Sequence, residues 1–183
     1  MRQFDLFARY LQDPQTRLWV HLWDEASAQQ TTAFWARGNG WVVLSLIEIL
    51  RNEPPDSANA LRLRQVLTQL LAALVKRQDP ASGLWHTVLD APDTPLETSA
   101  SAMFLYGLAE SRRLKLDGSA PEDALNKAWA GLAKQVDAQG RVVGVSAGTI
   151  PGDKARYAAR PLGTHPWGTG AFLMAAAALA EKR

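Results

Sequence analysis

The chain has no cysteine among its 183 residues, which excludes disulfides, thiol nucleophiles and cysteine-built zinc sites but leaves the redox compartment open. Net charge is nearly absent as well. Twenty Lys and Arg stand against 18 Asp and Glu, leaving +2, and the cations are scattered along the chain. A nucleic-acid partner requires a basic face, so none is expected. No apolar run reaches the roughly 18 residues of a membrane span, and Met1-Arg2-Gln3-Phe4-Asp5 carries no signal-peptide core. The expectation is a cytoplasmic protein with no membrane partner. Histidine is scarce: His21, His86 and His165 lie in separate segments without the spacing of a metal site, so no metal and no cofactor are expected.

What the chain does have is repetition. Gln12-Asp13-Pro14-Gln15-Thr16-Arg17-Leu18-Trp19 returns as Gln78-Asp79-Pro80-Ala81-Ser82-Gly83-Leu84-Trp85, and Gln135-Val136-Asp137-Ala138-Gln139-Gly140-Arg141-Val142 is a weaker echo. Each copy closes one helical pattern and precedes another, so the chain reads as three helix–loop–helix units that bury their apolar faces by stacking. Two kinds of helix alternate. Residues 57–78 and 121–135 are amphipathic, with Leu63, Val66, Leu67, Leu70 and Leu74 forming one stripe and Ala124, Leu125, Ala128, Trp129 and Leu132 the other. Residues 40–50, 100–109 and 168–180 are apolar nearly all round and are expected to be buried on most sides.

The order 2–11 then 40–51, 57–78 then 98–112, 121–135 then 167–181 predicts an all-α fold. It would be an α/α toroid of three helical hairpins, one domain over 1–183. The long loops 12–39, 79–97 and 136–166 all run from outer to inner helices and so share one face, where repeat proteins bind ligands. Short stretches in them, such as Leu84-Trp85-His86-Thr87-Val88, could add small β-ribbons.

The conspicuous polar and aromatic residues gather in those loops. Five of the seven tryptophans (Trp23, Trp35, Trp41, Trp85 and Trp167) lie on or beside them, with His21, Asp24, Glu25, Arg37, Ser146, Thr149, Tyr157, Arg160 and His165. Indole rings pack on sugar C–H faces while charged groups bond hydroxyls or a carboxylate, so this composition suits a carbohydrate. Arg37, between Trp35 and Trp41, needs an anionic partner, either internal or on a substrate. Trp19 and Trp85 in the repeated phrase read as wedges between units. Gly38-Asn39-Gly40 reads as a tight turn feeding a helix, since a nucleotide loop would need a strand and a third glycine. Glu97-Thr98-Ser99 reads as helix-capping chemistry, and each histidine is open to a structural or a catalytic role.

His21-Leu22-Trp23-Asp24-Glu25 followed by Phe34-Trp35-Ala36-Arg37-Gly38-Asn39-Gly40-Trp41 resembles the unsaturated rhamnogalacturonyl hydrolases of glycoside hydrolase family 105, related to the unsaturated glucuronyl hydrolases of family 88. Gly83-Leu84-Trp85-His86, the 97–103 segment and Gly148-Thr149 follow the same order. The resemblance implies an (α/α)6 barrel of which these three hairpins correspond to the C-terminal half. It implies an unsaturated oligosaccharide from pectin as substrate, cleaved by hydration of the C4=C5 double bond. A protonated aspartic acid donates a proton to the enol ether, water adds at C5, and the hemiketal collapses. By the same resemblance His21, Trp35, Arg37 and Trp41 line the unsaturated-sugar subsite, while the general acid belongs upstream of Met1, leaving the catalytic residue of this chain unassigned. Asp24 and Glu25 are the local carboxylates. Two rival expectations stand beside this one. The first is an inactive half-barrel that binds sugar weakly, self-associates or needs a missing N-terminal half. The second is a cyclase-like toroid, which lacks an Asp-rich motif here and, without cysteine, the zinc site of prenyltransferases.

Overall fold

The computed structural model describes residues 2–116 and 120–180. The end of the expected last helix at 181 and part of the 113–120 connection lie outside them. Seven helices run in chain order among the described residues: α1 (Arg2–Leu11), α2 (Ala36–Asn52), α3 (Ala58–Val75), α4 (Thr98–Arg113), α5 (Glu122–Ala133), α6 (Lys154–Ala158) and α7 (Pro166–Ala180). Two antiparallel ribbons lie in the loops, β1 (Trp23–Asp24) with β2 (Gln29–Gln30) and β3 (Val145–Ser146) with β4 (Leu162–Gly163).

The long helices form two layers. Helix α4 is central and packs between α2 and α7, with α3 and α5 behind it. Its buried run from Thr98 to Ser111 makes it the axis of the core, which joins Leu46, Ile47, Leu67, Leu71, Phe104, Leu105 and Leu108 among others. The α2–α4 approach is close enough that a Cβ at Gly40 would lie 2.5 Å from the Met103 sulfur. That contact explains the glycine and corrects its reading as a turn. Helix α2 begins at Ala36, four residues before the expected start, and Gly38, Asn39 and Gly40 lie within its first turns.

A second correction concerns α7. Its sequence is apolar all round, yet only Gly168, Ala171, Ala175 and Ala178 are buried, on the side facing α4. Leu173 is 62% exposed, and Met174 and Leu179 also face outward. An inner helix is enclosed only where a neighbouring hairpin covers it, and α7 is the last hairpin's inner helix. Helix α6, five residues long, was not expected; Asp153 caps it by accepting from the Arg156 amide at 2.9 Å.

The repeated phrases are turns of one design. The Asp13 carboxylate accepts from the Gln15 and Thr16 amides and the Thr16 hydroxyl, and Asp79 accepts from the Ser82 amide and hydroxyl. These bonds favour the charged form and hold both carboxyls below the ordinary range. Trp19 and Trp85 are buried in the core, as wedges between units should be. The long loops are stitched together on one face. The Ala36 amide donates to Thr87 O and the Leu89 amide to Phe34 O, while the Thr98 amide donates to Gly144 O.

Candidate active site

Three helix starts converge on this face. Arg37, Ser99 and Trp167 are each the second residue of an inner helix, α2, α4 and α7. The Arg37 guanidinium is buried and internally engaged. Its Nη1 donates to Ser99 Oγ at 3.2 Å and to both the carbonyl and the hydroxyl of Ser146 at 2.8 Å. Its Nη2 donates to Ala147 O at 2.9 Å and Thr149 Oγ1 at 3.1 Å. The group lies 4.8 Å from the Trp35 ring centroid and 5.5 Å from that of Trp167, within cation–π range.

Glu97 caps α4 from a fully buried position: its carboxylate accepts from the Ala100 amide at 2.6 Å, the Ser146 amide at 2.9 Å and Ser99 Oγ at 2.8 Å, with Arg37 Nη1 3.5 Å away. Burial lowers the proton affinity of Arg37, Glu97 counteracts this, and the Arg160 charge adds to the lowering. Two guanidinium groups therefore share a neighbourhood whose one buried carboxylate is saturated with donors. Positively polarised helix starts around it add to a field that favours an anion.

His21 stacks over Trp35 with ring centroids 4.3 Å apart, and its Nδ1 is 3.0 Å from the Tyr157 hydroxyl. Burial, then the Arg37 charge, pushes its pKa below the ordinary 6.5. Tyr157, from α6, lies parallel to Trp35 at 6.0 Å. The site thus brings together His21, Trp35 and Arg37. Trp41 makes no ring contact with them; it stands one helical turn beyond Arg37 on α2, 47% exposed.

Tyr157, Trp167, Ser146 and Arg160 were visible as loop residues, but nothing local in sequence tied them to Arg37. The Trp167 indole donates to Ser146 O at 3.2 Å and stacks with His165 at 4.6 Å. The Trp35 indole nitrogen is buried with no hydrogen-bond partner among the described residues. His86 lies apart, with Nδ1 against Thr94 O. An open cleft of about 500 Å³, lined by Asp13, Val20, Gln29, Gln30, Thr31, Thr32 and Phe34, adjoins the His21 side.

Of the local carboxylates, Asp24 is exposed and accepts from Ser27 Oγ and the Ala26 amide. These bonds hold its pKa below the ordinary range, the opposite of what a proton donor at neutral pH needs.

Comparison with known proteins gives this arrangement a context. Over 150 residues the chain is 38% identical to the unsaturated rhamnogalacturonyl hydrolase YesR of Bacillus subtilis (strain 168), covering 81% of this chain and 42% of that protein. An unsaturated 3S-rhamnoglycuronyl hydrolase of Formosa agariphila is 34% identical over 149 residues, 78% of this chain and 37% of the relative. The crystal structure of a possible member of the GH105 family from Klebsiella pneumoniae superposes with a TM-score of 0.91 at 34% identity, covering 97% of this chain and 48% of that one. The chain therefore spans about half the length of the relatives it matches, and its helices take the arrangement found in those α/α toroids. The family model described as Glycosyl Hydrolase Family 88 matches residues 1–182, and the chain belongs to that family.

Proposed function

We propose that this chain holds the unsaturated uronic acid of pectin-derived oligosaccharides within a glycoside hydrolase that hydrates the C4=C5 double bond. The observation that carries the reading is the meeting of Arg37, Trp35 and Trp167 at inner-helix starts, with Arg160 close by and His21 against Trp35. An anionic sugar ring needs both a cationic, donor-rich locus for its carboxylate and flat apolar surfaces for its C–H faces. The kinship with YesR, named as acting in rhamnogalacturonan chemistry, supports that substrate class.

In this reading Trp41 extends the platform outward along α2 toward the neighbouring sugar unit, and His21 donates a hydrogen bond to the sugar. The proton that starts the hydration comes from neither Asp24 nor Glu97. Asp24 is held ionised, and the Glu97 oxygens are occupied by backbone and hydroxyl donors. The chain alone is therefore a binding surface for the substrate, with turnover near background.

Titration with an unsaturated rhamnogalacturonan disaccharide, followed by the indole signals of Trp35, Trp41 and Trp167, tests the binding. The expected result is a response to the unsaturated sugar that weakens at least several-fold in Arg37→Lys, because an ammonium cannot hold Ser146, Ala147 and Thr149 together as the guanidinium does. Absorbance of the conjugated double bond, followed in the same samples, should stay constant. No indole response would sink the reading. Robust loss of absorbance would make a local carboxylate the acid.

A further inference from the structure

We propose that Tyr157 is a positioning residue that fixes His21 in a single neutral tautomer, with its proton on Nε2, so that the histidine meets the sugar as a hydrogen-bond donor. The inference rests on the reading of His21 as part of the sugar site, and its argument is a count of donors and acceptors around the Tyr157 hydroxyl.

Thr31 Oγ1 accepts from the amides of His21 at 3.1 Å and Leu22 at 3.2 Å. The Tyr157 oxygen accepts from the Gly152 amide at 3.1 Å. Tyr157 is buried, and among the described residues the one hydrogen-bond acceptor for its proton is His21 Nδ1, 3.0 Å away. Were Nδ1 instead protonated, it would be a second donor aimed at the phenolic oxygen, and the buried Tyr157 proton would have no acceptor.

An Nδ1 that accepts is unprotonated, so the neutral ring carries hydrogen on Nε2. No hydrogen bond within the described residues engages Nε2, and it is the edge available to a ligand. Packing fixes the ring plane: Trp35 lies against His21 at 4.3 Å, and Tyr157 stacks parallel to the same indole. The charged neighbours act in the same sense. Arg37, from α2, disfavours a second positive charge on His21, and burial keeps Tyr157 protonated well into alkaline pH, with Arg156 and Asp153 of the α6 segment acting on it in opposite directions. The His21–Tyr157 bond joins the first long loop to the third, where Gly152 also holds the phenol, so the position of the histidine reports the docking of one loop on the other.

The tautomer can be read directly from two-bond proton–nitrogen spectra of the histidine-labelled chain, with His21→Gln identifying the His21 signals. Wild-type His21 should show a pyridine-like Nδ1 and a protonated Nε2 at neutral pH. In Tyr157→Phe, which keeps the stack on Trp35 and removes only the hydroxyl, the signals should move to a tautomer mixture. The proton affinity of the ring should rise roughly three- to tenfold, the worth of one hydrogen bond to the neutral form. A wild-type ring with its proton on Nδ1 overturns the proposal. So does a Tyr157→Phe spectrum with unchanged tautomer and proton affinity. Adding the unsaturated disaccharide tests the functional reading separately: an Nε2 signal indifferent to sugar counts against His21 as a sugar ligand and leaves the tautomer result standing.

Discussion

Helices α2 and α4 start in equivalent places and do opposite electrical work. At the start of α2 the cap is Trp35, which offers no side-chain acceptor, and the second residue is the cation Arg37. At the start of α4 the cap is the carboxylate of Glu97 and the second residue is the small hydroxyl of Ser99. Arg37 reaches Ser99 directly, so residues in matching positions of adjacent units touch. Two residues further on, both helices perform the same structural task. Asn39 brackets Trp19, accepting from its amide and donating to its carbonyl, while Ser101 accepts from the Trp85 amide. The repeat thus keeps its clamp at the fourth helical residue and varies its chemistry at the cap and the second.

Removing the charge that α4 supplies should do the most damage. Glu97→Ala strips acceptors from the Ala100 and Ser146 amides and a counter-charge from buried Arg37, and should lower unfolding free energy in urea by about 3–5 kcal/mol. Adding Arg37→Met should return part of that loss, since no uncompensated cation then remains.

The turns of the two units provide the next contrast. Gly83 has φ +76°, and a Cβ there would fall 2.1 Å from the Lys127 carbonyl oxygen, whereas its counterpart in the first turn is Arg17 with φ 64°. Gly83→Ala should destabilise by about 2–3 kcal/mol through strain and collision. Arg17→Gly should be neutral or stabilising by less than about 1 kcal/mol, as left-handed strain is relieved and unfolded-chain entropy rises. If both substitutions cost the same, the turns are not equivalent.

The clamps should rank below that. Asn39→Ala leaves the buried Trp19 amide and carbonyl without their side-chain partner and should cost about 2 kcal/mol; Ser101→Ala, with fewer bonds, about 1 kcal/mol. Equal costs would argue that burial, and not bond number, sets the clamp.

The smallest effect is one of pH. His21 is neutral in the fold and its pKa lies below the unfolded value of 6.5. Between those two values the unfolded chain binds more protons, so stability falls as pH drops below about 6.5 and is level above it. His21→Gln should flatten that limb, read from thermal midpoints across pH. The Asp13 and Asp79 turns, depressed from 3.8, act only in more acidic solution and should be untouched.

Much of this was legible in the residues. Helical periodicity marked the outer helices, because burial of one face leaves its period in the sequence, and runs apolar nearly all round marked the inner ones. That Arg37 must find a partner was legible too, because a flanked arginine among tryptophans needs one wherever it lies, and the buried carboxylate of Glu97 stands 3.5 Å away. The misread positions share a cause, which is that contact partners distant in sequence decided them. Gly38-Asn39-Gly40 looks like a turn until Met103 is placed against Gly40. The outward face of α7 looks like core because hydrophobicity records what a face can bury, not what covers it. Tyr157 reaches His21 from 136 positions away, a pairing that no local spacing encodes.

Arg37 is held by Ser99, Ser146, Ala147 and Thr149 before any ligand arrives. A free arginine side chain that becomes fixed on binding forfeits roughly 0.5–1.5 kcal/mol of rotamer freedom. Here that loss is incurred during folding, so the cation is already a rigid element of the fold. Under the function proposed above, selectivity at such a locus would come from shape: a ring whose carboxylate lies in the plane imposed by sp² carbons would fit without adjustment, while a puckered, saturated uronate would have to distort itself, because the protein has no slack to give.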